Sequence, residues 1–161
     1  TPLSILNLKE IGATAEASKL TCFIIGTNDL VKDSRMKAAN NRLALVPSLS
    51  LAVMAARAFN ISCIDGVYND IKDEAGFAAE CEQGVLLGMD GKTLVHPSQI
   101  ETANRIFSPS PDDVIWAKGV IDVFALPENA TKGVVTLKGK MVERLHLTMA
   151  ERIMAMSEAN T

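Results

Sequence analysis

The sequence predicts an α/β fold in which short apolar strands alternate with longer helices. Of its 161 residues 48% are hydrophobic, which is enough for a sizeable core. Three short apolar runs, at residues 20–25, 61–66 and 93–95, are separated by segments with helical character. The first run is typical of a parallel strand that is covered on both faces. Strands in this order pair in parallel through right-handed crossovers, so the pattern is typical of a doubly wound sheet or of part of a (β/α)₈ barrel.

The helices are predicted from apolar periodicity and from residues that start or stop a helix. Ser4 is a candidate N-cap for the first helix, Asp73 for the third, and Gly88 follows the third helix as a stop. Residues 108–111 contain two prolines, which predict an interruption of helical structure before the helix at residues 112–124. The predicted helices are residues 5–17, 49–59, 73–87, 97–106 and 112–124.

The C-terminal region has a different pattern. Residues 133–137 and 141–142 flank Lys138-Gly139-Lys140 as in a small hairpin, and residues 145–155 have helical periodicity. We therefore expect a partial barrel or sheet over residues 1–126 and a hairpin-helix appendage over residues 127–161.

Composition argues against several classes of protein. The net charge of −3 comes without a basic stripe, so nucleic acid is not an expected partner. No run approaches the ~20 apolar residues of a membrane span, so we expect no membrane association. Cys22, Cys63 and Cys81 are odd in number and far apart, which indicates reduced thiols and predicts a cytoplasmic protein.

The first strand ends in the candidate site, Gly26-Thr27-Asn28-Asp29. Ligands of parallel sheets and barrels bind at the C-terminal ends of the strands. Gly26 permits a tight turn, the following amides can donate to a carboxylate, and Asp29 offers hard oxygen to Mg²⁺. The alternative interpretation is an ordinary turn. The polar residues from 27 to 47 predict a functional loop.

Other polar residues at predicted strand ends have structural interpretations. Asp65 and Asp70 are expected to bond to loop amides or to cap a helix. His96 is expected to be a hydrogen-bonded anchor or a pocket wall, and His146 to be a surface residue. The cysteines and Ser34 have no recognisable base partner, so nucleophilic catalysis is not supported.

Taken together, the motifs resemble those of citrate lyase β-subunit-like proteins, in the same order and over essentially the whole chain. The motifs are Ile25-Gly26-Thr27-Asn28-Asp29-Leu30, Ala55-Ala56-Arg57-Ala58, Ile64-Asp65-Gly66-Val67-Tyr68-Asn69-Asp70, Asp73-Glu74-Ala75-Gly76-Phe77, Leu87-Gly88-Met89-Asp90-Gly91-Lys92, Val95-His96-Pro97-Ser98-Gln99-Ile100, Phe107-Ser108-Pro109-Ser110 and Gly139-Lys140-Met141-Val142.

The resemblance implies the C-terminal portion of a (β/α)₈ barrel enzyme that depends on Mg²⁺. Its substrate would be a CoA or acyl-carrier thioester of a hydroxy-dicarboxylic acid, of the citryl-CoA or malyl-CoA type, cleaved by a retro-aldol or Claisen-like step to give a 2-oxo acid. Asp29 is similar to the family's metal-binding aspartate, and the backbone of Gly26, Thr27, Asn28 and Asp29 to the segment that meets the substrate carboxylate.

Two further expectations come from the same resemblance. The family's second metal-binding residue, a glutamate in a Glu-Thr-Pro segment, would precede Thr1-Pro2, so this portion alone is expected to be inactive. In related lyases an aspartate of the appendage acts as an acid in a neighbouring subunit's site, and Glu143 stands at that position here. A homo-oligomer, a trimer or a hexamer, is implied.

Two alternatives to this function remain open at this stage. One is an aldolase for free 2-oxo acids that does not use CoA. The other is a catalytically silent oligomeric scaffold or a proteolytic remnant, in which Asp29 and Glu143 are ordinary loop and surface residues.

Overall fold

The computed structural model describes residues 1–37 and 41–159 and divides into two compact units, Thr1–Phe107 and Ser108–Thr161. The first unit contains a three-stranded parallel sheet with helices, and the second contains a hairpin with two helices. No helix in the described part of the chain has the length and apolar content of a membrane span.

The first unit confirms the alternation of strands and helices. The three strands of its sheet lie side by side in chain order, with Phe23 of the first paired to Cys63 of the second, and Asp65 of the second paired to Lys92 of the third. The elements in chain order are α1 (Pro2–Leu6), α2 (Leu8–Ala13), β1 (Cys22–Ile24), α3 (Thr27–Asp33), α4 (Val46–Ala58), β2 (Ser62–Asp65), α5 (Glu74–Leu87), β3 (Gly91–Lys92) and α6 (Ile100–Phe107).

The core of the first unit lies between the sheet and the long helix α4. Leu49, Ala52 and Ala56 of α4 are fully buried, and Phe23 and Cys63 face them from β1 and β2. Ile24, on the opposite face of β1, is 66% exposed. Within the described residues the strand is therefore covered on one face, whereas its apolar sequence predicted cover on both.

Helix ends in the first unit follow the predicted residues at two of three positions. Asp73 accepts from the amide of Gly76 as the N-cap of α5, and Gly88 ends that helix with a φ of 90°. At the N-terminus the prediction of Ser4 as N-cap is wrong. Thr1 is the cap, because Pro2 occupies the first helical position and the amide of Ser4 donates to the Thr1 side chain.

Two other elements differ from the prediction. The segment expected to be a functional loop begins with helix α3, because Leu30 packs into the core; residues 38–40 of that segment lie outside the described residues. The third strand lies at Gly91–Lys92 rather than at 93–95, because Thr93 makes the last ladder bond, to the carbonyl of Asp65. Beyond it the side chain of Gln99 accepts from the Val95 amide.

A buried charge network fastens β2 to the neighbouring elements. Asp65 is fully buried, and its two carboxylate oxygens accept from Arg42 at 2.7 Å and from Lys92 at 3.2 Å. Glu80 of α5 pairs with the same two cations, at 3.5 Å and 2.6 Å. Two carboxylates and two cations balance, so the network carries no net charge in the interior.

The second unit forms a core between a hairpin and two helices. Its elements are α7 (Pro111–Ala125), β4 (Val134–Leu137), β5 (Lys140–Glu143) and α8 (Arg144–Ala159). Ala117 and Val120 of α7 pack with Val142 of β5 and Ala150 of α8. The hairpin and terminal helix match the expected elements, but the units divide after Phe107 rather than after residue 126, because α7 shares the core of the hairpin.

Removing the carboxylate of Asp65 should strongly destabilise the first unit. In Asp65→Ala, Arg42 and Lys92 lose a buried partner, and we expect the free energy of unfolding to fall by about 3–5 kcal/mol in urea titrations followed by circular dichroism. Asp33→Ala, which breaks an exposed pair with Lys32, should cost less than about 1 kcal/mol. A comparable small loss in both variants would contradict the account.

Candidate functional site

The C-terminal ends of the three parallel strands come together, as the topology requires. Residues 26–29 follow β1, residues 66–70 follow β2, and residues 93–99 follow β3. Gly66 brings the first two close, since a Cβ at this position would lie 2.3 Å from Thr27 Oγ1 and 2.8 Å from the Ile25 carbonyl oxygen. Only glycine allows the two backbones to approach so closely.

A cavity of about 430 Å³ lies beside these strand ends. Thr27 and Asn28 line it from the first turn of α3, and the loop after β2 lines it from another side. The remaining wall comes from residues 36–37, 42 and 44–45 and from the N-cap and second turn of α5. The lining residues are Thr27, Asn28, Val31, Met36, Lys37, Arg42, Ala44, Leu45, Val67, Tyr68, Asn69, Asp70, Asp73 and Glu80.

Asp29 faces a different space from Thr27 and Asn28. It lines a groove of about 370 Å³ along β1, together with Thr1, Ile24 and Asp33. Its Oδ2 atom folds back over Gly26, where a Cβ would lie 3.6 Å away. The four predicted residues of this turn are therefore contiguous but serve two spaces, because the helical turn at Thr27 points successive side chains in different directions.

The sequence predicted that the carboxylate of Asp29 binds a metal ion, and this assignment stays a prediction. Within residues 1–37 and 41–159 no three His, Cys, Asp or Glu side chains form a cluster suited to a metal ion. Mg²⁺ in proteins is often held by one or two carboxylates with water and substrate completing its shell. An exposed carboxylate at a strand end fits one position of such a shell.

Side chains connect the loops at the strand ends. The carboxamides of Asn28 and Asn69 donate to each other, at 3.1 Å and 2.9 Å. Gln99, which is 3% exposed, donates to the carbonyl of Tyr68 at 3.1 Å. Lys92 donates to the carbonyl of Gly66 at 2.7 Å. The loop after β2 is thus tied to the loops on either side of it.

Histidines and cysteines of the chain have structural roles here. His96 Nδ1 accepts from the Ser98 amide and caps a short 3₁₀-helix, so it is a hydrogen-bonded anchor as predicted. Cys63 and Cys81 are free and buried, and burial raises the pKa of each thiol to about 11. A thiolate nucleophile is therefore not favoured at either position.

Glu143 lies in the second unit, at the end of β5, and is half-buried. Its amide donates to His146 Nδ1 at 2.9 Å. The ring of His146 packs edge-on against the ring of Trp116, with 6.4 Å between the ring centroids. The expectation of a surface role for His146 is wrong, because the imidazole is half-buried and bonds to the end of the hairpin.

Sequence reasoning missed several residues that shape the site. Arg42 was only one of many polar residues in a predicted loop, yet it reaches Asp65, Gln83 and the carbonyl of Glu80. The partners lie 23 to 41 residues away, so no local pattern reveals them. One signal was present, since a carboxylate at the end of a buried strand needs a cation or several donors.

Tyr68 and Asp73 form a short hydrogen bond at the cavity. The Tyr68 hydroxyl donates to Asp73 Oδ2 at 2.6 Å, and this bond raises the pKa of Tyr68 to about 12 and lowers the pKa of Asp73. The stabilisation from the neutral phenol is complete below pH ~10 and is lost as the pH rises through about 12. The stabilisation from ionised Asp73 is lost at the acid end, as the pH falls through its lowered pKa.

A tyrosinate titration tests this bond directly, because Tyr68 is the only tyrosine of the sequence. We expect an ultraviolet absorbance midpoint near pH 12, and Asp73→Asn should move it toward ~10 while keeping a side chain that caps α5. Asp70→Asn removes a charge that raises the pKa of the Tyr68 hydroxyl less than Asp73 does, so it should shift the midpoint less. A parental midpoint of ~10 would show that the hydrogen bond is absent in solution.

Comparison with known proteins gives concordant results. Residues 1–97 match the family model described as HpcH/HpaI aldolase/citrate lyase. Over 159 residues, 99% of this chain, it is 45% identical to a (3S)-malyl-CoA thioesterase of Cereibacter sphaeroides and covers 55% of it. It is 31% identical to citrate lyase subunit beta of Escherichia coli K12 over 157 residues, 98% of this chain and 51% of that protein. The chain thus spans about half the length of these relatives.

Solved structures resemble the fold of the chain. The CitE protein of Mycobacterium tuberculosis, in complex with magnesium, acetoacetate and coenzyme A, superposes with a TM-score of 0.79 at 25% identity, over 98% of this chain and 58% of that one. A citrate lyase of Burkholderia xenovorans LB400 superposes with a TM-score of 0.79 at 14% identity, over 97% of this chain and 50% of that one. At this level of identity the similarity supports the fold alone. With the family match over residues 1–97, these findings show that the chain belongs to the HpcH/HpaI aldolase/citrate lyase family.

Proposed function

We propose that this chain carries part of the active site of a magnesium-dependent carbon-carbon lyase that acts on the CoA thioester of a hydroxy-dicarboxylic acid. The observation that carries the proposal is the carboxylate of Asp29, folded over Gly26 at the C-terminal end of β1. Support comes from the family match, from a relative that acts on malyl-CoA, and from a structural neighbour that binds magnesium and coenzyme A.

Asp29 is the proposed protein ligand for Mg²⁺. A bound Mg²⁺ would supply Lewis acidity toward the carbonyl of the 2-oxo acid or its enolate. We propose that the backbone amides of Asn28 and Asp29 donate hydrogen bonds to the carboxylate of the substrate. The Thr27 amide is not used in this way, because it already donates to the Ile25 carbonyl. Gly26 and Thr27 then shape the turn, with Thr27 buried beneath Gly66.

Glu143 is the proposed acid of the reaction, supplied by the second unit of a neighbouring subunit in a homo-oligomer. The support is chemical: glutamate keeps the carboxyl group that the family's aspartate provides, with one more methylene. The bond between the Glu143 amide and His146 fixes the backbone from which the carboxyl group extends.

A (β/α)₈ barrel in the complete protein is part of the same proposal. Such a barrel closes with eight parallel strands, and the described residues form three in one parallel sheet. The 66% exposure of Ile24 is what a barrel strand would show when its inner face lacks the other strands.

Thioester hydrolysis is a second candidate function. It is favoured by the 45% identity to a (3S)-malyl-CoA thioesterase. Malyl-CoA distinguishes the two reactions, because carbon-carbon cleavage gives acetyl-CoA and glyoxylate whereas hydrolysis gives malate and free CoA. The lyase proposal predicts glyoxylate as the first product; free thiol without glyoxylate would favour hydrolysis, and turnover of free hydroxy acids alone would favour a CoA-independent aldolase.

Substitution of Asp29 tests the metal assignment. In the complete protein, Asp29→Asn should weaken Mg²⁺ binding and lower kcat/KM by about 100-fold or more, because the amide is a poorer ligand and leaves the enolate charge less stabilised. Asp33→Asn is the matched control, since Asp33 lines the same groove one turn further along. Parental Mg²⁺ affinity in Asp29→Asn, measured calorimetrically, would remove Asp29 from the site.

Substitution of Glu143 tests the proposed acid. Glu143→Gln has the same shape but no acidic proton, so we expect kcat to fall by about 100-fold in the complete protein with little change in KM. Glu151→Gln, an exposed position on α8, should leave both constants unchanged. Equal turnover of the Glu143→Gln variant and the parent would show that Glu143 is an ordinary side chain of the hairpin.

A further inference from the structure

The carboxamides of Asn28, in the first turn of α3, and Asn69, in the loop after β2, form a closed hydrogen-bonded pair, although the two residues are 41 positions apart in the chain. Asn28 Nδ2 donates to Asn69 Oδ1 at 3.1 Å, and Asn69 Nδ2 donates to Asn28 Oδ1 at 2.9 Å. Two hydrogen bonds between planar groups fix the distance between the side chains and their relative orientation. The pair thus fastens the first turn of α3 to the loop after β2.

The loop that carries Asn69 is itself held by buried groups. The carbonyl of Gly66 accepts from Lys92, whose side chain is fully buried, and the carbonyl of Tyr68 accepts from the buried Gln99. Asn69 therefore projects from a loop anchored at two neighbouring residues. Asn28, by contrast, precedes Asp29 on a helix whose N-terminus has no side-chain cap.

The solvent exposure of the two asparagines limits how much the pair contributes to global stability. Both asparagines are exposed, and a hydrogen bond between solvent-exposed groups adds little net stability, because water replaces it on unfolding. The pair is therefore a minor contributor to global stability beside the buried network of Asp65. Its main mechanical effect is local, since it limits rotation of the turn that orients Asp29.

We infer that the Asn28–Asn69 pair positions the Asp29 carboxylate, and that Asn69 is a positioning residue of the proposed lyase. The inference rests on the proposed function. It adds a residue from the second strand-end loop that acts on Asp29 through Asn28. The anchored loop after β2 then restricts the movement of the turn after β1 through the asparagine pair.

Hydrogen exchange provides a readout that is independent of activity. The Leu30 amide donates to the Gly26 carbonyl at 3.0 Å and so reports opening of the turn. In Asn69→Ala we expect this amide to exchange about fivefold faster, the change that corresponds to losing about 1 kcal/mol of local stabilisation. The matched control is Asn104→Ala, an exposed asparagine on α6 of the same unit, which should leave Leu30 exchange unchanged.

Kinetics of the complete protein with malyl-CoA provide the second readout. Asn69→Ala should lower kcat about tenfold with little change in KM, and Asn28→Ala/Asn69→Ala should lose no more than either single variant, because both substitutions break the same pair. Unchanged Leu30 exchange, unchanged kcat or additive losses would each overturn the positioning role. Parental turnover in Asp29→Asn would instead overturn the proposed function, whatever the Leu30 amide shows.

Discussion

The carboxylate of Asp65 sits fully buried at the end of β2, and much of the first unit is arranged to satisfy it. Arg42 comes from the segment before α4, Lys92 from β3, and Glu80 from α5 balances the two cations. A buried charge without partners would cost several kcal/mol, so these elements must meet at one place for the unit to fold. The network thereby specifies how the strand ends are arranged.

This arrangement extends to the candidate site through short contacts. Lys92 holds the carbonyl of Gly66, and Gly66 lies against Thr27 at the start of α3. Asn69, three residues after Gly66, holds Asn28. Two parts of the loop after β2 therefore contact the turn that orients Asp29. Through these contacts the position of the exposed Asp29 carboxylate depends on the buried Asp65 carboxylate.

Much of the fold followed from local signals in the sequence. The alternation of strands and helices, the Asp73 cap and the Gly88 stop were all visible as patterns within a few residues. Helix α3 was not, because its polar residues hid the contribution of Leu30 to the core. The residues of the candidate site also fall into those with a local sequence signal and those without one. Asp29 was predicted from its place after a strand, whereas Arg42 and Asn69 act through partners far away in the chain, which no local pattern specifies.

The proposed function depends most on the binding of a divalent ion by Asp29 at the end of β1. Crystals of the complete protein grown with Mn²⁺ and a 2-oxo acid, with anomalous diffraction measured at the manganese edge, test it directly. We expect an anomalous peak about 2.1 Å from a carboxylate oxygen of Asp29, in the coordination range of small hard cations. A manganese peak elsewhere, with Asp29 bonded to protein groups or to solvent alone, would contradict it.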